Sequence, residues 1–153
     1  MEEFDIAIIG GGPAGIMAAI AASADLNVVL LEKNSSLGSK LLITGGGRCN
    51  ITNEKPIKKL LNSFHDKNFL KHSFYTFTNE MLLDLFRNRG LDFIVEDNNR
   101  VFPETEKSQD ILAILKYYLK DITIKYNYEV SDIKKEDNFI INNDIIAEKV
   151  IIA

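Results

Sequence analysis

The chain has 153 residues, 46% hydrophobic and 26% charged, with a formal net charge of -4. That length suits one domain with a sizeable core, and the acidic balance argues against a general nucleic-acid or anionic-membrane binder, which needs a basic surface. One cysteine allows no internal disulfide, and no apolar stretch reaches the ~18 residues of a membrane span, so a soluble, cytoplasmic protein is expected.

The start, "MEEFDIAIIG", is acidic and its apolar run is too short for a signal peptide. Phe4 to Ile9 is almost continuously apolar, as expected of a parallel strand covered on both faces. The glycine turn "GGGPAG" follows, then a helix from Ala14 to about Ala24, rich in small residues. The next strand, Asn27 to Leu31, ends at Glu32, which completes a βαβ unit. A second glycine loop, "TGGGRCNITN", occupies 44–53. The stretch "IKKLLNSFHDKNFLKHSFYTF" reads as one or two short helices, with Lys55, Lys58, Lys59, Lys67 and Lys71 on a solvated face. In "TNEMLLDLFRNRG", Thr78 is placed to cap a helix, Met81, Leu82, Leu85 and Phe86 form one face, and Gly90 terminates it. "SQDILAILKYYLKD" repeats that design, with Ser108 as cap and Ile111, Leu112, Leu115, Tyr118 and Leu119 facing inward. Arg100 to Pro103 either approaches a cofactor or simply ends a strand at the proline.

From residue 121, branched and aromatic runs separated by "KKEDN" and "NND" predict a small antiparallel β-meander. The final run, Val150 to Ile152, reads as a buried strand that stops without a loop. It predicts that the 153 residues are the N-terminal part of a longer chain.

Gly10-x-Gly12-x-x-Gly15 lies directly between a strand and a helix. There Gly10 allows the tight turn, Gly12 lets a pyrophosphate approach the backbone, and Gly15 lets helix and strand pack closely. The free N–H groups and positive end of the helix face the phosphates. Glu32 at the end of the next strand can accept hydrogen bonds from both ribose hydroxyls of an adenosine and would repel a 2′-phosphate. Dinucleotide binding follows, although this motif does not choose between NAD and FAD. A second side-chain-free loop could lie along a longer cofactor, its amides facing pyrophosphate or flavin and Arg48 offsetting phosphate charge.

Together, "GGGPAG … EKN … GSKLLITGGGRCNITN … NRVFPETEKSQDIL … VIIA" resembles the BaiN/RdsA-type (YhiN-like) family of FAD-dependent oxidoreductases, within the glutathione-reductase-like flavoprotein superfamily. The resemblance runs across nearly the whole chain, and the "GGGRCN.TN" loop and the "RVFP" segment are its most specific parts. It implies a Rossmann-like α/β FAD-binding domain over 1–153, a parallel sheet with a βαβ unit plus the meander, interrupted by a mainly helical segment at about 54–120. A substrate domain and a C-terminal FAD segment would lie outside the 153 residues. The cofactor-binding set it implies is Gly10, Gly12, Pro13, Ala14 and Gly15 at the first turn and Glu32, Lys33 and Lys40 beyond it. To these it adds Gly45, Gly46, Gly47, Arg48, Cys49 and Asn50 beside the flavin, and Val130 clamping the adenine. NAD(P)H is the implied electron donor, and the substrate, a small molecule or an RNA base, is left open.

No catalytic residue is identifiable. Cys49 lacks a partner cysteine and reads as a packing residue, and His65 and His72 have no neighbour at metal-ligand spacing, so no metal is expected. An NAD-dependent dehydrogenase and a non-catalytic dinucleotide sensor are the competing readings.

Overall fold

Strand β1 (Glu2–Ile9) forms where the sequence is apolar enough to be covered on both faces, and Ala7 and Ile8 are fully buried. It is central. On one side it pairs in parallel with β2 (Val28–Leu31), on the other with β9 (Ile145–Ile152). Between β1 and β2 runs helix α1 (Pro13–Ala22), whose buried Gly15, Ile16 and Ala19 allow a close approach to the sheet. Asn27 secures the return: its N–H donates to the Asp5 carboxylate at 2.6 Å and its side-chain amide to the Glu3 carbonyl at 3.2 Å. The computed structural model describes residues 1–153, which form two units, 1–41 with 115–153, and 42–114.

The first unit contains a six-stranded mixed sheet in the order β6-β2-β1-β9-β8-β7, where β6 is Thr123–Lys125, β7 Ile133–Lys135 and β8 Phe139–Ile141. Strands β7, β8 and β9 are the antiparallel meander expected from the sequence. Strand β6 is not part of it. It pairs in parallel with β2 at the opposite edge, because a strand that follows a helix is a crossover return, and crossovers give parallel pairing. A core of Ala7, Val29, Leu31, Ile141, Ile145 and Ala147 unites both parts of the sheet. The end of β9 is a strand, as expected, but it is not buried: Ile151 is 37% exposed and Ile152 76%. An apolar run distinguishes strand from loop without showing whether anything covers it.

After the short helix α2 (Ser39–Ile43), the second unit includes α3 (Ile57–Leu61), α4 (Lys67–Thr76), α5 (Asn79–Arg87) and a three-stranded antiparallel sheet, β3-β5-β4. Here β3 is Thr52–Asn53, β4 Phe93–Glu96 and β5 Arg100–Pro103. The helical reading of this region missed the β4–β5 hairpin, whose turn contains Asn98 and Asn99 at φ 64° and 60°. Asparagine tolerates positive φ better than most residues, which lets Asn98 and Asn99 close this turn. Arg100 to Pro103 form strand β5, which ends at the proline.

Helix α5 starts as predicted: the Thr78 hydroxyl accepts from the Met81 N–H at 3.2 Å, and Gly90 ends it at φ 80°. Its buried face, however, is Leu83 and Phe86, while Met81 is 48% exposed. Phe86 meets Phe93 edge-on at 6.0 Å. In α6 (Ser108–Tyr118), Ile111, Leu112 and Leu115 are buried, as is Leu119 just beyond. Ser108 is the first residue of α6, and its buried hydroxyl donates to the Leu42 carbonyl at 2.9 Å.

Candidate functional site

The β1–α1 turn uses its glycines for different reasons. Gly10 sits at φ 110°, a left-handed conformation that side chains rarely adopt, and a Cβ there would strike the Ala153 carbonyl. A Cβ on Gly15 would collide with the Gly10 carbonyl, so the helix can start this close to the strand only with glycine. Gly11, which the motif leaves free, has no room either. A Cβ would meet Leu37 and lie 2.7 Å from Glu32 Oε2.

Gly12 is different. Its φ and ψ, -78° and 177°, suit any residue, and nothing lies within 4 Å of where its Cβ would stand. It is the N-cap of α1 without a capping side chain, and Pro13 follows at the first helical position. The protein's own packing gives no reason for a glycine at this place.

Glu32 is buried at 7% exposure beside this turn. Its Oε2 accepts from the Gly11 N–H at 2.7 Å, and its Oε1 accepts from both the backbone N–H and the side-chain amide of Asn34, at 2.7 and 2.6 Å. Backbone bonds then tie this corner to the segment after β6: Glu32 N–H to the Lys125 carbonyl, Tyr128 N–H to the Glu32 carbonyl, and Asn127 N–H to the Asn34 carbonyl. Val130 is delivered to the site by these bonds.

The result is a cleft of about 470 Å³ at the C-terminal ends of β1 and β2, where open α/β sheets bind their ligands. Of the residues anticipated from sequence, Gly10, Gly12, Pro13, Ala14, Glu32, Lys33, Lys40 and Val130 all line it. Gly15 lies behind the turn. Sequence reading missed Gly11, Asn34, Tyr128 and Glu129, which also border the cleft. The signal for Gly11 was present, since three consecutive glycines stand where the motif needs only the first and third.

The loop of Gly45 to Asn50 belongs to the second unit. Gly45, Gly46 and Gly47 have φ of 59°, 68° and 89°, and Cys49 follows at 64°. Three successive left-handed residues need glycine on conformational grounds alone. The expectation that these glycines exist for a flavin's approach is therefore not required. A Cβ on Gly45 would also press on the Asn50 N–H and the Phe102 ring, at 3.0 and 3.3 Å.

Arg48 has partners other than a phosphate. Its guanidinium donates to Glu96 at 2.6 Å and to Glu106 at 2.8 Å, and stacks on the Phe102 ring at 4.3 Å. These bonds hold the guanidinium protonated well above its ordinary range and hold the Glu96 carboxyl below its own. Cys49 is 2% exposed, and burial pushes its thiol up, away from the thiolate a nucleophile needs. The Asn50 side chain accepts from the Val101 N–H at 3.3 Å, fastening the loop to β5.

His65 and His72 are exposed, and no group of three His, Cys, Asp or Glu side chains is placed to hold a metal ion. No helix is long and apolar enough to cross a membrane.

Residues 4–153 match the family described as the HI0933-like protein Rossmann domain. The 3-dehydro-bile acid delta(4,6)-reductase of Clostridium scindens is 34% identical over 78% of this chain and 30% of its own length. The ribosomal RNA dihydrouridine synthase of Escherichia coli is 30% identical over 90% of this chain and 34% of its own length. The chain thus spans about a third of the curated relatives it matches. Among solved structures, the open conformation of a flavocytochrome c3 fumarate reductase superposes with a TM-score of 0.69 at 21% identity. It covers 99% of this chain and 33% of that one, a likeness of fold.

Proposed function

The chain belongs to the HI0933-like Rossmann domain family, and on that premise we propose that it is the FAD-binding part of an oxidoreductase. One observation carries the proposal. Gly12 has ordinary dihedrals and open space above it, so the bare start of α1 is open to a ligand's approach. A pyrophosphate resting on the start of α1 fits this opening, and a Cβ would stand in its place. The neighbouring chemistry fits the same group. Glu32 offers a buried carboxylate to a ribose hydroxyl, Val130 borders the place of an adenine, and Lys33 and Lys40 bring positive charge to the same cleft. FAD rather than NAD is favoured by the flavoprotein resemblance of the sequence.

FAD held in this cleft would supply hydride chemistry between NAD(P)H and an unsaturated carbon–carbon bond, in a steroid-like ring or an RNA base as the relatives' names suggest, with the second hydrogen arriving as a proton. The residues of this chain orient the dinucleotide: the α1 N-terminus fixes the phosphates, and the Glu32 corner fixes the adenosine end.

The test is an absorption spectrum of the natural gene product, purified without added cofactor. Flavin bands that persist through gel filtration, with FAD released on denaturation, are the expected result. A colourless protein that cannot be reconstituted with FAD overturns the proposal.

A further inference from the structure

Glu32 has less capacity for a ligand than its motif position suggests. An ionised carboxylate has about four acceptor sites. Gly11 takes one on Oε2, and the Asn34 backbone N–H and side-chain amide take two on Oε1, at 2.7, 2.7 and 2.6 Å. All three bonds are short, as charge-assisted bonds are. One site is left, on Oε2, the oxygen that faces the glycine turn.

We infer that Asn34 is a positioning and specificity-determining residue, which occupies Glu32 Oε1 so that the carboxylate reads one ribose hydroxyl of the bound adenosine rather than both. The inference rests on the proposed dinucleotide cleft and deepens it. Asn34 is well placed for this. Its own carbonyl accepts from the Asn127 N–H at 3.1 Å, so its backbone is fixed to the segment that delivers Val130, while its side chain is exposed and can be removed without disturbing the core. The arrangement also orients the carboxylate: with Oε1 held by Asn34, Oε2 is kept against Gly11 and cannot rotate away.

Titration calorimetry of the cofactor-free natural gene product with ADP, 2′-deoxy-ADP and 3′-deoxy-ADP tests this. In the unaltered protein, one deoxy analogue should bind about tenfold more weakly than ADP, the loss of one hydrogen bond to a charged group, and the other should bind like ADP. In Asn34→Ala one site on Oε1 is released. The previously silent hydroxyl should then count, and its deoxy analogue should fall severalfold below ADP. A residue that only maintained the loop would lower all three affinities by one common factor.

Equal weakening of both deoxy analogues in the unaltered protein overturns the inference without any variant. So does a common factor for all three ligands in Asn34→Ala. If ADP binds neither protein, the cleft assignment itself fails and this inference with it. Selective loss with one analogue alone, extended to the second in Asn34→Ala, supports both.

Discussion

Gly12 and Gly15 stand three residues apart in one motif, yet the structure separates what each does. Gly15 is required by packing, because a Cβ would collide with the Gly10 carbonyl. Gly12 is not, because its surroundings are open and its dihedrals ordinary. With both proteins stripped of cofactor, Gly12→Val should therefore melt within about 1 kcal/mol of the unaltered protein, while failing to take up FAD when it is supplied. Gly15→Val should be destabilised by about 1–3 kcal/mol or more through overpacking. Thermal melts alongside flavin absorbance check both, and a Gly12→Val protein that keeps its flavin would remove the main support for the cleft. The motif was legible in the sequence as three spaced glycines. That packing requires one of them and leaves the other free was not, since spacing carries no information about empty space. Cys49 shows the reverse, because the absence of a second cysteine already favoured packing, and burial in the structure agrees.

At the scale of elements, the second glycine loop is organised by Arg48. The guanidinium bridges Glu96 at the end of β4 and Glu106 after β5, and lies on Phe102 of β5. Exposed ion pairs contribute little individually, but this one joins a stacked ring and two carboxylates around a strained left-handed turn. The hydrogen bond from Arg48 lowers the Glu96 pKa, helped by the charges of Arg48 and Arg100, against an opposing effect of burial. A lowered folded-state pKa stabilises above the unfolded value, ordinarily 4.5, and that contribution is lost as pH falls through the folded value. From about pH 5 to pH 3, the melting temperature of the unaltered protein should fall more steeply than that of Glu96→Gln. Parallel slopes in the two proteins would mean that this bridge contributes nothing. Sequence reading placed Arg48 near a phosphate because a lone arginine in a glycine loop suggests an anion. Its glutamates lie 48 and 58 residues away, a separation no local pattern can reveal.

Taken as a whole, each unit has its own sheet, and the six-stranded one carries the candidate site. Strand β1 is hydrogen-bonded on both sides and fully buried at Ala7 and Ile8, while β7 is an exposed edge carrying Lys134 and Lys135, charges that discourage edge-to-edge association. Native-state hydrogen exchange should be slowest for the amides of Ile6 to Ile8 and fastest among the strands for those of β7. Faster exchange in β1 than in β7 would contradict the strand order. The mixed topology also explains how Val130 reaches the cleft. Strand β6 pairs with β2, the chain then passes the Glu32 corner, and only afterwards enters the meander on the other side of β1.

What the sequence determined alone was whatever is local: the βαβ unit with its glycine turn and acidic corner, the Thr78 and Gly90 ends of α5, and the resemblance to a flavoprotein family. The turns and helix ends depend on residues within a turn or two of one another, where sterics and hydrogen bonding act directly, and the βαβ unit and the resemblance are carried by motifs in a recognisable order along the chain. Tertiary structure decided the rest. It set β6 parallel at the far edge, revealed the β4–β5 hairpin, gave Arg48 its glutamates, and brought Asn34 and the 127–130 segment around Glu32. Each of these joins groups distant in sequence or a strand to its partner, and no periodicity records which partner a strand or a charge will find once the chain has folded.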